Sequence, residues 1–146
     1  MTERTWYSRK QGDPTPAIVM DVRAGADFHL GYSFKEVADD NSVTGNRDFV
    51  GMNTFRLTFS DTPGGAEIAG ATLTDADVVI NGLSSSGELA IKAPATKTKV
   101  LQTHLEGKGV TRRGTLYADL TGREGSVVRA LWAAVVHVQF TTAASA

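Results

Sequence analysis

The longest hydrophobic pattern in the chain lies near its end, over residues 126–140, SVVRALWAAVVHVQF. From Val128 onward every second residue is apolar, and because strand side chains alternate between faces, this period places a continuous apolar row on one face. A helical stripe through Val127, Leu131 and Val135 fits the same residues. The many valines favour a strand, since their branched Cβ atoms restrict χ1 against a preceding helical turn. The pattern therefore predicts a long core strand.

The opposite face of this strand is also unusually apolar. Leu131, Ala133 and Val135 occupy alternate positions and would point away from the core. Contiguous apolar residues on an outer face need a cover, so we predict that these three bind a partner or are covered by the chain's own N-terminal segment. At ~3.3 Å per residue the strand would span roughly 50 Å, longer than most globular strands. We therefore expect a bulge or bend near Ala133 and Ala134.

Shorter apolar or alternating runs recur along the rest of the chain. They occupy residues 17–23, 27–35, 53–60, 72–80, 88–93 and 115–121. Turn-forming residues separate them, for example at 61–65 and 81–82. Residues 95–103 have a mixed period that allows a single helical turn, and no helix of about three turns is predicted. Roughly seven or eight short strands with frequent turns predict an all-β, two-layer antiparallel β-sandwich, because each strand has one face to bury.

The inward positions of these strands define the predicted core. Its members are the apolar side chains that share the buried face of each alternating run. They are Phe28, Leu30, Phe34, Phe55, Leu57, Leu89, Ile91, Leu120, Trp132, Val136 and Val138.

The ends of the chain differ from its middle. Residues 1–16 carry charges and prolines and show no strand or helix period, which predicts an N-terminal arm outside the sandwich. Trp6 and Tyr7 stand side by side in it, and we predict that they bind a partner, because aromatic side chains are frequent anchors at interfaces. A frayed terminus is the alternative. The predicted organisation is an arm at 1–16, a sandwich at 17–141 and a short tail at 142–146.

Composition narrows the classes of function. The 146 residues suit a single domain that needs neither disulfides nor metals to bury a core. A net charge of −1 gives no strong field toward nucleic acid or anionic lipid, so neither is predicted as a partner. The absence of cysteine excludes disulfides, thiolate metal sites and a catalytic thiol. We see no signal-peptide core and no apolar run of the ~20 residues that a membrane span needs.

Candidate metal ligands are few. His29 and His137 fall on outward faces of strands that could be neighbours, with Asp27 as a possible third zinc ligand. Two solvated histidines are the simpler interpretation. The acidic residues of loop 39–48 offer oxygen atoms to calcium but lack the EF-hand spacing. We therefore predict no metal and no other cofactor.

Basic residues are concentrated in the second half of the chain. They are Lys92, Lys97, Lys99, Lys108, Arg112 and Arg113. This set lacks the interleaved aromatics or recognition helix of a nucleic-acid site, and it is either a solvated face or a contact for an acidic protein surface.

Signatures of catalysis are missing from the sequence. We find no Gly-x-Ser-x-Gly elbow, no dinucleotide fingerprint and no phosphate-binding loop. The carboxylates are scattered, so no acid–base pair stands out. The sequence predicts that the protein is not an enzyme.

Several short motifs occur in an order that resembles a known family. They are GADF at 25–28, DFVGM at 48–52, PGGAEI at 63–68, GELAI at 87–91, and YADL at 117–120 followed by VVRAL at 127–131. In this order they resemble the immunoglobulin-like domain of phage baseplate upper proteins and related tail-fibre proteins. The resemblance extends over about residues 18–140.

The resemblance implies an immunoglobulin-like sandwich in a structural virion protein, assembled in the host cytoplasm. Such a protein would act as a tail, baseplate or fibre-attachment adaptor. Its partners would be other virion proteins and copies of itself, so an oligomer is expected in the particle.

Two other functions fit a small β-sandwich. A carbohydrate-binding domain that recognises a host-surface glycan would need an exposed aromatic platform, for which Trp6, Tyr7 and Tyr117 are the candidates. A head-decoration protein is not distinguished from a tail adaptor by sequence.

Overall fold

The computed structural model describes residues 2–9, 17–37, 42–74 and 76–141 of the chain. Within these ranges the chain is mostly β-strand, with a single α-helix between the seventh and eighth strands. The elements are β1 (Thr2–Arg9), β2 (Ala17–Arg23), β3 (Phe28–Val37), β4 (Val43–Asn46), β5 (Met52–Ser60), β6 (Val78–Ile80), β7 (Glu88–Ala93), α1 (Ala95–Glu106), β8 (Arg113–Glu124) and β9 (Val127–Gln139).

The strands form two sheets that enclose one core. The first sheet has the order β1-β3-β7-β6, with β4 also paired to β3, and the second has the order β2-β9-β8-β5. Buried apolar side chains from both sheets belong to one cluster. The orders β3-β7-β6 and β5-β8-β9 are those of strands B-E-D and C-F-G in immunoglobulin domains. The predicted immunoglobulin-like β-sandwich is confirmed.

The first strand corrects the prediction of an N-terminal arm. β1 pairs in parallel with β3 over its whole length, from Thr2 opposite Leu30 to Arg9 opposite Val37. An edge strand is held by backbone hydrogen bonds to one neighbour. A polar sequence can form these hydrogen bonds just as an apolar sequence can. The absence of an apolar period therefore did not exclude a strand. Residues 10–16 and the predicted tail, 142–146, lie outside the described residues.

Parallel pairing at the sheet edges is a second departure from the predicted all-antiparallel arrangement. β2 also pairs in parallel, with β9, from Ala17 opposite Ala133 to Arg23 opposite Gln139. β1 and β2 thus add one parallel strand to each sheet, and the chain passes from one sheet to the other between them. The remaining strand pairs are antiparallel.

The predicted core set is largely buried. The buried members are Leu30, Phe34, Phe55, Leu57, Leu89, Ile91, Leu120, Val136 and Val138. Phe28 is partly buried against the same cluster, and the side chain of Trp132 lies outside the part that the structure describes. Phe49, which the alternation did not identify, lies fully buried between Phe34 and Phe55, with ring centroids 5.5 and 5.8 Å away.

The long strand is interrupted by a bulge, two residues before the predicted position. β8 and β9 pair from Arg113 opposite Gln139 to Glu124 opposite Val127, and the register shifts between Leu120 and Thr121. Leu120 pairs with Trp132 and Thr121 with Ala130, so Leu131 is the extra residue of the bulge.

The helix α1 corrects the prediction that no helix of about three turns is present. Its buried residues are Thr98, Leu101, Gln102 and Leu105, which have the i, i+3, i+4, i+7 spacing of one helical face. Two of these four are polar, so the helical period does not appear in the apolar residues alone. The hydroxyl of Thr98 donates to the carbonyl of Ala26 at 2.8 Å and accepts from the amide of Gly25 at 3.1 Å.

Gln102 and Asp27 attach the helix to the two sheets. The side-chain oxygen of Gln102 accepts from the amide of Thr141 at 3.1 Å, just after β9. The carboxylate of Asp27 accepts from the amide of Ala95 at 2.8 Å, which satisfies one of the unpaired donors at the helix start. In the part of the chain that the structure describes, no helix has the length and apolar character of a membrane span.

Candidate assembly surfaces

The histidines considered as zinc ligands lie far from one another. His29 is on β3 in the first sheet and His137 is on β9 in the second, and both are exposed on outer faces. Their strands are not neighbours, because β3 and β9 belong to different sheets. Asp27, the proposed third ligand, binds the start of α1. Among the described residues no group of three potential metal ligands is present.

The acidic loop is only partly described. Asp48 accepts the amide of Val50 through Oδ1 at 2.8 Å, so its carboxylate shapes the turn before β5. Asp39, Asp40 and Asn41 lie outside the described residues.

Two of the basic residues form ion pairs within the chain. Nζ of Lys97 lies 2.7 Å from Oδ2 of Asp77, and Nζ of Lys108 lies 3.5 Å from Oδ2 of Asp61. His104 donates from Nε2 to the same Asp61 at 2.9 Å, since a carboxylate can only accept. This hydrogen bond lowers the pKa of Asp61. These contacts stabilise α1 against neighbouring loops, and an acidic partner for the remaining basic residues stays a prediction.

The outer edge of β5 is covered by the chain that follows it. Leu57 and Leu73 exchange two backbone hydrogen bonds of 2.9 Å, and Ile68 donates to Phe59 at 2.7 Å. Nη2 of Arg56 donates to Glu67 at 2.6 Å. The hydroxyl of Thr72 and the guanidinium of Arg56 both lower the pKa of Glu67. This edge of the second sheet is therefore unavailable for strand addition.

The turn between β8 and β9 projects beyond the sandwich. Every residue from 123 to 130 is exposed. Val127 and Val128 are 47% and 56% exposed, and because successive strand residues point to opposite faces, neither face of the hairpin is covered here. Val50 is exposed two residues before Met52, which pairs with Glu124 in the same hairpin. We call residues 123–130 the hairpin tip.

The outer face of the second sheet carries two of the predicted partner-binding residues. Ala133 and Val135 point outward on β9 and are half-buried by their neighbours. Val135 lies between Tyr117 on β8 and Val19 on β2, which are its partners in the strand register. The prediction of an outward apolar row is thus confirmed for these two positions, and their binding to a partner stays a prediction.

The prediction that Leu131, the third member of that row, points outward is wrong. Its side chain is 2% exposed and belongs to the core cluster. The bulge explains the difference, because an extra residue shifts the alternation of faces and turns Leu131 inward. Leu131 is therefore unavailable to a partner.

Trp6 and Tyr7 lie apart from the other predicted partner-binding residues. They pair with Phe34 and Lys35 in the first sheet, whereas Tyr117 and Val135 lie in the second. Trp6 and Tyr7 are thus separated from Tyr117, and glycan binding by any of the three stays a prediction.

The chain is similar to several solved structures, among them two proteins to which the similarity is weak. No family model and no curated protein matches the chain. The N-terminal domain of phage TP901-1 ORF48 is similar over 97% of this chain and 100% of that one, with 13% identity and a TM-score of 0.40. A nucleoside hydrolase-related hypothetical protein from Saccharophagus degradans, associated with carbohydrate metabolism, is similar over 86% of this chain and 22% of that one, with 16% identity and a TM-score of 0.24.

Proposed function

We propose that the chain is a structural protein of a bacteriophage virion that connects neighbouring subunits in a tail, baseplate or fibre attachment. The observation that carries this proposal is the projecting hairpin tip with its exposed Val127 and Val128. The order of short sequence motifs, which resembles that of phage baseplate upper and tail-fibre proteins, supports the same class.

The hairpin tip has the physical properties of a docking element. Exposed apolar side chains are stabilised when a neighbour covers them, by about 0.8 kcal/mol for each buried methylene-sized group. The tip is also ordered before docking, because Arg123 and Glu124 pair with Val128 and Val127 in the β8–β9 ladder. A preformed element loses little conformational entropy on binding, which favours a stable contact.

The polar clusters of the chain fit a passive role. His104 with Asp61, Lys97 with Asp77 and Arg56 with Glu67 connect helix, loops and sheet edge within the molecule. We propose that the protein holds a rigid shape through these contacts and acts without catalysis.

Replacing both tip valines by serine tests the proposal. A phage genome with the gene inactivated is complemented with the wild-type chain or with the double variant Val127→Ser, Val128→Ser. We expect at least about a tenfold loss of incorporation into particles, because burying a single exposed valine side chain contributes about 1.5 kcal/mol or more. Quantitative mass spectrometry of purified particles measures the copy number.

Leu83→Ser is the matched control. Leu83 is 75% exposed and lies before β7, outside the hairpin tip, so losing its apolar surface should leave incorporation unchanged. Equal incorporation of the double valine variant and the wild type would contradict a docking role for the tip.

A further inference from the structure

The second sheet presents a broad outer face formed by alternate residues of its strands. These residues point away from the core because the residues between them are buried in it. The face consists of Val19, Asp21, Arg23, Thr58, Arg113, Thr115, Tyr117, Asp119, Ala133, Val135, His137 and Gln139. We call this set the docking face.

The composition of the docking face is that of an interface. It contains no lysine and no glutamate, and Glu67 lies beside it at the β5 edge, where it pairs with Arg56, whereas the outer face of the first sheet carries Lys35, Glu88 and Lys92. Protein interfaces are depleted in lysine and glutamate and enriched in tyrosine and arginine relative to other surfaces. The two outer faces of one small domain therefore differ in the way that a docking surface differs from a solvated one.

The apolar residues of the docking face form a row across its strands. Tyr117, Val135 and Val19 are neighbours in the register of β8, β9 and β2. A row of polar residues, Thr115 and His137 among them, lies beside it. An apolar centre with a polar surround is the usual arrangement of a protein–protein contact.

Two charges of the docking face, both on β8, are placed so that they can complement each other between two copies. β8 presents Arg113, Thr115, Tyr117 and Asp119 in succession on this side. A second copy turned end for end, about a two-fold axis that crosses the strands near Leu116, places Arg113 opposite Asp119 of the other copy. The same rotation places the row of Tyr117, Val135 and Val19 opposite the polar row of the other copy, so that the two apolar rows lie side by side, roughly 7 Å apart along the strands. Among the described residues neither Arg113 nor Asp119 has an ion-pair partner within the chain. The two-fold arrangement gives each of these residues an ion-pair partner in the other copy, so that the dimer contains two Arg113–Asp119 pairs.

We propose that the docking face binds a second copy of this chain in an isologous dimer. Sheets pack face to face at about 10 Å, and strand spacing gives the face an area of about 500 Å² per copy. The total of about 1,000 Å² is at the lower end for specific complexes, so we expect a weak, reversible dimer.

The chain's own N-terminal strand is not the occupant of this face. β1 pairs with β3 in the first sheet, on the opposite side of the sandwich. The proposed dimer adds a self-contact to the proposed assembly role. Whether the dimer occurs in a virion depends on the proposed function. Self-association is measured with the purified full-length chain alone, so its failure is distinct from a failure of virion incorporation.

A charge reversal and its rescue test the dimer. Sedimentation velocity of the wild type, from about 1 μM to about 1 mM, should show a reversible monomer–dimer equilibrium. Arg113→Asp places Asp opposite Asp119, and Asp119→Arg places Arg opposite Arg113, so each should weaken the dimer at least tenfold. The double variant restores opposite charges across the two-fold and should restore the affinity.

Rescue by the double variant can only arise between copies. Arg113 and Asp119 are six residues apart in one strand, which separates them by roughly 20 Å and excludes a contact within the chain.

Lys92→Asp, on the outer face of the first sheet, is the control and should leave the equilibrium unchanged. Arg113 lies exposed at the start of β8, so its variant keeps the test decisive if Asp119→Arg does not fold. A wild-type chain that stays monomeric up to about 1 mM, or a dimer unaffected by Arg113→Asp, would overturn the proposal.

Discussion

Phe49→Ala is expected to lower the free energy of unfolding by about 3–5 kcal/mol. Phe49 is fully buried in the loop before β5, between Phe34 of the first sheet and Phe55 of the second. Its ring meets both neighbours nearly edge-on, at interplanar angles of 81° and 88°. Removing it leaves a cavity between the two layers and breaks both aromatic contacts.

Urea denaturation, with intrinsic fluorescence as the signal, measures this loss. Val50→Ala is the neighbouring control, and because Val50 is exposed, its change should stay within about 0.5 kcal/mol. A loss below about 1 kcal/mol for Phe49→Ala would contradict the packing of the three rings.

Gly87→Ala is expected to cost about 2–5 kcal/mol, through backbone strain and a steric clash together. Gly87 has a φ of 70°, which L side chains rarely adopt. A Cβ atom there would lie 2.7 Å from the carbonyl oxygen of Phe34 and 2.9 Å from that of Arg47. Both are backbone atoms held in place, since the amide of Arg47 donates to the carbonyl of Phe34 at 2.9 Å.

Gly64→Ala separates the two causes. Gly64 has a nearly identical φ of 68°, but nothing lies within 4 Å of its Cβ position. Its substitution should therefore lower the free energy of unfolding only through backbone strain, by about 1–2 kcal/mol. Equal losses in the free energy of unfolding for the two variants, measured by the same denaturation, would contradict a steric clash at Gly87. They would show that the surrounding backbone moves to accommodate a methyl group.

The layers of the sandwich could be predicted because each core strand has a clear period of two. Leu30 and Phe34 on β3, and Val136 and Val138 on β9, are buried where alternation places them. Alternation reports burial directly, since a strand in a two-layer fold has one covered face.

The helix and the first strand could not be predicted from the same signal. α1 buries Thr98 and Gln102, which hydrogen-bond to backbone atoms far away in sequence. β1 is specified by its pairing with β3, and a parallel edge strand leaves no local pattern. Contacts between distant segments decide both elements.

The candidate surfaces were predictable only in part. Ala133 and Val135 lie on the outer face as their positions in the strand indicate. Leu131 does not, because a bulge in the register changes the face of a residue without any change in the hydrophobic pattern. The exposure of Val127 and Val128 depends on where β8 and β9 extend past the second layer, which the sequence of the hairpin itself does not specify.

The most direct test of the proposed function is to search for the chain in purified phage particles. Particles released by cells that carry the gene are purified by density gradient and examined by mass spectrometry and by gold-labelled antibody. The account predicts that the chain is present at a reproducible copy number and that the label lies on the tail or its fibre attachments. Absence of the chain from infectious particles, with the protein found only in the host cell, would contradict a structural role in the virion.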